Sequence, residues 1–465
     1  MRRKAMFVTA IAVFFCLIPG LLTANGGQEA GISTSNPDVI RVWTVSGHAK
    51  DIQVVQVERF NQTRGAELGI EIEYTNYGDD YTNIVKLALA SGQGPEIFKR
   101  ISNDVPAMAN KGWILPIESF PGGDALLDRY NGYLVPLQNV INEKTYTLPY
   151  STRSFKLVYN KDLFKEAGIV DAQGEAVPPE TWDDVVEAAK RITAVGGGKE
   201  FGYVLPLKWG SYPFYGLLAT SPSSFGDLGY NYESGRFDFT KLTPIFDALT
   251  QMREDGSWFP GSEGLDYDSA RAHFSEGNIG MIMSVSWDVG VYNDQFPAKC
   301  DWGVAPIPVV DPDNRFKSYL RPSDMFVLGA AAAEFPEKSL AVYDFLHSDE
   351  VLAELYSAGK EIPYKASIVE MAETEPTAKG FAEFARTEEG YLYPPGPRSY
   401  ADKVIEGDSY KLVFQKILLG AVEPEPALKD LTERRNAALD KVIASGRIDP
   451  EDYMIENWYE KNRLE

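Results

Sequence analysis

The chain has 465 residues, of which 44% are hydrophobic and 24% charged, and its formal net charge is −22 at pH 7. This composition is ordinary for a soluble globular protein, and the length exceeds what one hydrophobic core usually serves, so two domains are expected. The strong acidity argues against nucleic acids and anionic lipid surfaces as partners. It leaves the charge of any ligand open, because the charge around a site can oppose the net charge.

The first residues have the pattern of a secretory signal. Basic residues at positions 2–4 precede an apolar run from Ala5 to Leu22, and Ala24 supplies a small residue for cleavage. We therefore expect residues 1–24 to be a signal peptide and the protein to be periplasmic or extracellular. Cys16 follows two phenylalanines rather than small residues, which disfavours a lipid anchor there. Removal of the signal would leave Cys300 as the one cysteine, so no disulfide within the chain is expected.

Strand and helix patterns alternate along the chain. We expect strands at 40–45, 70–74 and 156–159, and helices at 51–61, 81–90, 161–167 and 336–346, with a further helix after Thr181 and mostly helical structure from Glu350 onward. Thr181 is the expected N-cap of its helix, with Asp183 and Asp184 in the first turn. Alternation of this kind predicts mostly parallel sheets that are covered by helices.

Six stretches carry a resemblance to a known family. They are Ala90 to Phe98, Tyr146 to Gly168, Pro178 to Trp182, Phe274 to Trp287, Trp302 to Pro308 and Phe414 to Gly420. In this order and across most of the chain, they resemble the motifs of the family 1 extracellular solute-binding proteins, the sugar-type receptors of ABC importers. Most of these residues stop helices or begin them, so they indicate the fold rather than the solute.

The resemblance implies an α/β fold of the two-lobed periplasmic-binding-protein type, similar to maltose-binding protein. Each lobe would hold a mixed, mostly parallel sheet flanked by helices, with a helical C-terminal region. Lobe 1 would comprise 38–149 plus 308–347, and lobe 2 would comprise 150–307 plus 348–465. The chain would cross between them near Pro149–Tyr150, Pro306–Ile307 and Ser348–Asp349, and the cleft would close on its ligand by rigid-body motion.

The family places ligand contacts at a few loop positions that combine hydrogen-bonding side chains with aromatic rings, as a sugar requires. Carried over to this chain, they are His48, Arg100, Asn103, Asp104 and Arg153, with Trp209, Tyr212, Trp287, Asp288 and Arg321 from later segments. Trp287 is the expected stacking ring, and the alternative is a tryptophan of the lobe core. For Trp209 and Tyr212 the two interpretations stay open.

Three of these positions are arginines, Arg100, Arg153 and Arg321, in a strongly acidic protein. Arginine binds carboxylate and phosphate groups through paired hydrogen bonds, which raises the hypothesis of an anionic solute such as a uronate oligosaccharide or a sugar phosphate. The alternative is that each arginine pairs with a nearby acid, namely Asp104, Asp288 or Asp324. Neutral sugars also bind arginines, so the sequence leaves the ligand's charge open.

We therefore predict a receptor that captures a carbohydrate between two lobes and delivers it to the permease of an ABC importer. It would act as a monomer without cofactor or metal. An enzyme is not expected, because none of the three histidines has metal-ligand spacing and the chain shows no nucleophile elbow or phosphate loop. The alternatives are a receptor for a non-sugar solute, such as a sugar phosphate or a polyamine, and a secreted glycoside hydrolase.

Overall fold

The computed structural model describes residues 36–45, 47–78, 80–101, 105–136, 138–208, 218–322, 325–394 and 396–464. The expected signal peptide lies outside these residues. In the described part of the chain, no helix has the length and apolar character needed to cross a membrane.

The described strands are β1 (Asp38–Thr44), β2 (Ile70–Asn76), β3 (Ile97–Lys99), β4 (Val140–Ile141), β5 (Lys144–Thr145), β6 (Ser151–Asn160), β7 (Phe201–Tyr203), β8 (Tyr230–Asn231), β9 (Arg236–Phe237), β10 (Ile279–Val285), β11 (Trp302–Ala305), β12 (Ser318–Pro322), β13 (Phe326–Leu328), β14 (Ile362–Pro363) and β15 (Gly390–Tyr391).

The described α-helices are α1 (Lys50–Phe60), α2 (Ala66–Leu68), α3 (Tyr81–Ala90), α4 (Val105–Asn110), α5 (Gly123–Asp128), α6 (Lys161–Glu166), α7 (Trp182–Val195), α8 (Leu218–Phe225), α9 (Thr243–Glu254), α10 (Tyr267–Ser275), α11 (Asp288–Gly290), α12 (Pro336–Leu346), α13 (Asp349–Ser357), α14 (Ala366–Glu370), α15 (Phe381–Ala385), α16 (Arg398–Ala401), α17 (Tyr410–Leu418), α18 (Pro424–Ala444) and α19 (Trp458–Asn462).

The first sheet has the strand order β13-β3-β1-β2. Strand β1 pairs in parallel with β2 and β3, while β13 is antiparallel to β3. Successive side chains point to opposite faces of a strand, and both faces are apolar here. In β13, Phe326 and Leu328 enter one buried cluster and Val327 enters another. We call this sheet with its two hydrophobic clusters the first lobe.

The second sheet is mixed and is built around the long strand β6. Strands β10, β11, β12 and β14 are all antiparallel to β6, whereas β7 is parallel to β10 and β15 is parallel to β12. Side chains of β6 alternate between the two faces of this sheet, and both faces are apolar: Phe155 and Leu157 enter one buried cluster and Val158 enters another. We call this sheet with its two clusters the second lobe. The expected two-lobed α/β architecture is therefore what the chain forms.

Strand pairing and the buried clusters show which lobe each stretch near the expected crossings contacts. The chain enters the second lobe between Thr147, which bridges to Val327, and the start of β6, the stretch that contains Pro149–Tyr150. Strand β12 still pairs with β6, so the return to the first lobe lies between β12 and β13, beyond Pro306–Ile307. Helix α13 packs into the first lobe through Val351, Leu352 and Leu355. Tyr356 of the same helix enters a cluster of the second lobe, and Ile368 of α14 enters a cluster of the first, so the stretch after Ser348–Asp349 contacts both lobes.

Local sequence signals place several elements correctly. Helices α3 and α12 have the expected bounds, and Gly168 follows α6 with a positive φ of 67°. Thr181 caps α7 through a capping box in which its hydroxyl accepts from the Asp184 N–H and the Asp184 carboxylate accepts from the Thr181 N–H. Strand β6 is longer than expected, because its first residues pair with β12 and β14 near the crossings.

Candidate functional site

Strand register brings three distant positions to the same end of the second sheet. Arg321 of β12 lies opposite Arg153 of β6. On the other side of β6, Val285 lies opposite Phe155, and the Ser286 N–H donates to the Ser154 carbonyl at 3.0 Å. The next residue, Trp287, therefore comes level with Arg153. Residues paired across neighbouring strands share a face of the sheet, so the pairing places Arg153 and Arg321 on one face beside Trp287.

Trp287 and Arg321 are in direct contact. The guanidinium carbon of Arg321 lies 5.6 Å from the centroid of the Trp287 ring, within the range of a cation–π interaction. Trp287 is half-buried and packs against the main hydrophobic cluster of the second lobe, so part of its surface remains accessible. A ligand ring that stacked on the face under Arg321 would have to displace the guanidinium.

Arg153 and His48 converge on a carboxylate that sequence reasoning missed. Glu361 is 1% exposed and accepts hydrogen bonds from Arg153 Nη1 at 2.5 Å, the Ser151 hydroxyl at 2.5 Å and His48 Nε2 at 2.9 Å. Burial alone would raise the pKa of the Glu361 carboxyl, but Arg153 and His48 outweigh that effect and hold the pKa well below its usual range. Arg153 is thus paired within the chain, with a partner other than the three acids considered from the sequence.

Asp288 faces the protein interior. Its side chain is 0% exposed, and its carboxylate accepts hydrogen bonds from Arg271 at 2.6 Å and from the Val285 N–H at 3.1 Å. Burial raises the pKa of Asp288 to about 6, although Arg271 opposes the rise. After Val285 the chain turns into the short helix α11, so neighbouring side chains diverge and Trp287 alone remains partly accessible. The expected ligand role of Asp288 is inconsistent with this placement.

Arg100 is an expected ligand position that lies in the first lobe. It follows β3, and its N–H donates to the Met325 carbonyl at 2.9 Å. Burial raises the pKa of the Tyr319 hydroxyl, and the positive charges of Arg321, Arg398 and Arg100 oppose that rise. The charges of these three guanidinium groups therefore act on the hydroxyl of Tyr319, which precedes Arg321 by two residues on β12.

A model of the bacterial extracellular solute-binding proteins matches residues 46–353 of the chain. The chain belongs to this family. Its members are binding proteins rather than enzymes, and a solute-binding receptor is the function that the comparisons support.

Named relatives of this solute-binding protein are distant in sequence. A maltotriose-binding protein from Pyrococcus abyssi is 25% identical over 327 residues, which cover 69% of this chain and 65% of the relative. A periplasmic sn-glycerol-3-phosphate-binding protein from Agrobacterium fabrum is 22% identical over 372 residues, covering 71% of this chain and 80% of the relative.

The solved structures support the fold of this solute-binding protein. The cyclic α-maltosyl-1,6-maltose binding protein from Arthrobacter globiformis superposes with a TM-score of 0.67 at 18% identity, over 87% of this chain and all of that one. At this identity the likeness shows the fold alone. The maltose-binding-like architecture expected from the motifs is thereby confirmed.

Four of the expected ligand positions in this solute-binding protein stay predictions, and one further candidate residue comes from the structure. Asn103, Asp104, Trp209 and Tyr212 lie outside the described residues. Arg398, which sequence reasoning missed, begins α16 and donates from Nη2 to the Leu228 carbonyl at 2.9 Å. Its position just after a proline-rich loop and two tyrosines was the available signal, but proline marks a turn without indicating where the turn packs.

Proposed function

We propose that this receptor captures a carbohydrate between its two lobes and presents it to the permease of an ABC importer. The observation that carries the proposal is the contact between the half-buried Trp287 and Arg321 at one end of the second sheet. An accessible indole can cover the C–H face of a sugar, and guanidinium groups beside it can donate to hydroxyls. The maltotriose-binding relative makes a saccharide a reasonable solute.

A second candidate is an anionic solute, such as an acidic oligosaccharide or a sugar phosphate. The charges of Arg321, Arg398 and Arg100 all oppose the rise in the pKa of the Tyr319 hydroxyl, and Arg398 donates to the Leu228 carbonyl rather than to a carboxylate. Asp288 is occupied by Arg271 and cannot neutralise this group. Arginine binds carboxylate and phosphate through paired hydrogen bonds, and a relative is named for binding sn-glycerol 3-phosphate.

Thermal-shift screening separates these candidates, because a ligand that binds only the folded state raises the melting temperature. The panel contains neutral oligosaccharides, uronate oligosaccharides and sugar phosphates. Shifts with neutral sugars alone support the first candidate, and shifts with acidic members alone support the second. No shift with any member would contradict both, and hydrolysis of a binding oligosaccharide would contradict a purely receptor role.

Substitution of the aromatic residue tests the site itself. We expect Trp287→Ala to weaken binding of the best solute at least tenfold, since an aromatic stacking contact is worth about 1–1.5 kcal/mol beyond its buried area. Trp113→Ala is the matched control: this ring is also half-buried, lies under Lys111 at 4.3 Å and packs in the first lobe. Equal affinities of the two variants would show that Trp287 does not contact the solute.

We also propose that the protein is exported as a monomer by residues 1–24, in keeping with the extracellular character of its family. Purification from the periplasm or medium followed by N-terminal sequencing tests this. A mature chain that begins at Asn25 supports cleavage after Ala24, whereas a lipidated Cys16 would contradict it.

A further inference from the structure

His48, Arg153 and Glu361 connect the two lobes beside the crossings. We propose that they form an interlobe lock that holds the cleft in the observed arrangement, so that His48 and Glu361 are positioning residues for solute capture rather than solute contacts. The predicted effect of this lock on solute affinity rests on the proposed receptor function. Its predicted effect on the radius of gyration of the solute-free protein does not.

The three residues belong to parts of the chain that move with different lobes. His48 lies in the 3-10 helix Gly47–Ala49, which joins β1 to α1, and Ala49 is buried in the first lobe. Arg153 belongs to β6, the central strand of the second sheet. Glu361 lies between α13 of the first lobe and β14, which pairs with β6. The Glu361 N–H donates to the Leu355 carbonyl of α13 at 3.3 Å, so Glu361 contacts both lobes. A rotation of one lobe against the other therefore strains the series of contacts that runs from His48 through Glu361 to Arg153.

The contact is chemically well defined. A carboxylate oxygen can only accept, so His48 Nε2 carries the hydrogen of the 2.9 Å contact to Glu361 Oε1. Arg153 Nη1 donates to the other carboxylate oxygen. Arg153 Nη2 lies 3.2 Å from the same ring nitrogen, but with the hydrogen on Nε2 both atoms are donors, so this contact adds no hydrogen bond. Such charge-assisted hydrogen bonds have strict distance limits, and a separation beyond about 3.5 Å ends them.

The arrangement also explains how the lock could release. When His48 withdraws, Glu361 still accepts from Arg153 and the Ser151 hydroxyl, both on β6. The buried carboxylate is never left without donors, so opening does not carry the large free-energy penalty of an unpaired buried charge. What is lost is one hydrogen bond from a side chain that is 47% exposed. A hydrogen bond of this kind changes the equilibrium between the locked and the released arrangement by about three- to tenfold.

The test compares His48→Ala and His48→Gln with the wild type. Small-angle scattering gives the radius of gyration without solute, and calorimetry gives the affinity for the best sugar of the thermal-shift panel. We expect His48→Ala to be more expanded without solute and to bind about three- to tenfold more weakly. His48→Gln, whose amide nitrogen can still donate to Glu361, should restore both values towards the wild type.

Arg59→Ala is the control, because it removes an ion pair to Glu354 at 2.7 Å that lies within the first lobe. It should leave both readouts unchanged. If His48→Ala alters affinity but not the radius of gyration, His48 contacts the solute directly and the lock is refuted. If both stay at wild-type values, the lock is also refuted. If no sugar binds the wild type, the proposed function fails, but the scattering comparison still decides on the lock.

Discussion

The Asp288 carboxylate is fully buried and bonded to Arg271 at 2.6 Å, one residue after a tryptophan that stays partly accessible. Glu361 is buried as deeply, yet the pKa changes have opposite signs. Burial dominates at Asp288 and raises its pKa, whereas Arg153 and His48 outweigh burial at Glu361 and lower it. The balance between desolvation and nearby charge therefore decides how each carboxylate responds to pH.

Asp288 should make stability depend on pH. Its folded pKa of about 6 lies above the ordinary value of 3.8, so between about pH 4 and 6 the folded protein holds a proton that the unfolded chain has released. The free energy of unfolding should therefore fall as pH rises across that window. Urea unfolding of wild type and Asp288→Asn at pH 4.5, 5.5 and 7 measures the difference. If the unfolding free energies of the two proteins changed with pH in the same way, the raised pKa of Asp288 would be contradicted.

Removal of the Glu361 carboxylate should be costly. Glu361→Ala leaves Arg153, whose side chain is 10% exposed, without its carboxylate partner. We expect the free energy of unfolding to drop by about 3–5 kcal/mol, as is typical when one member of a buried pair is removed. The double variant Arg153→Met with Glu361→Leu should recover much of the loss, because it removes both charges. A loss below 1 kcal/mol for Glu361→Ala, measured by urea unfolding, would place the pair among weak surface contacts.

At the scale of elements, local patterns account for where helices begin and which faces are buried. Helix α7 starts at a capping box, and its buried residues Val185, Val186, Ala189 and Ile192 recur at helical spacing. Strands β6 and β13 are apolar on both faces because helices cover both sides of each sheet.

The capping box of α7 should contribute to stability by a predictable amount. Thr181→Ala removes the hydroxyl that accepts from the Asp184 N–H at 3.1 Å, so the first turn loses a cap. We expect a loss of about 1 kcal/mol in the free energy of unfolding. Asp183→Ala is the control, since Asp183 lies in the same turn outside the capping box. An equal loss in both variants would indicate general charge effects rather than capping.

At the scale of the molecule, the chain forms two lobes, and the charges of arginines from both lobes act on the Tyr319 hydroxyl. Arg100 comes from the first lobe, and Arg321 and Arg398 come from the second. The net charge of the protein is −22. The charge around a site can oppose the net charge of the whole protein and attract a ligand of the same sign as that net charge.

Solute binding should close and stabilise the molecule. At a solute concentration of 100 times the dissociation constant, we expect the free energy of unfolding to rise by about 2.7 kcal/mol. The radius of gyration should fall on addition of the same solute, because closure of two lobes around a ligand is a rigid-body motion. Scattering with and without solute checks this, and a non-binding sugar from the panel is the control. Stabilisation without compaction would indicate a site within one lobe.

The amino-acid sequence by itself determined the fold family, the bounds of α3 and α12 and the cap at Thr181. These features depend on hydrophobic period, turn residues and junction motifs within a few positions of each other. It also selected Trp287 and Arg321, which the structure brings into contact.

Only the tertiary structure decided which side chains meet across long sequence separations. The register of β6 with its neighbours joins position 153 to 321, and the last crossing brings Glu361 to Arg153 and His48. Packing likewise buries the Asp288 side chain, and it lets the charge of Arg398 act on the Tyr319 hydroxyl. Strand register and burial arise from packing of the whole chain, so no local pattern encodes them.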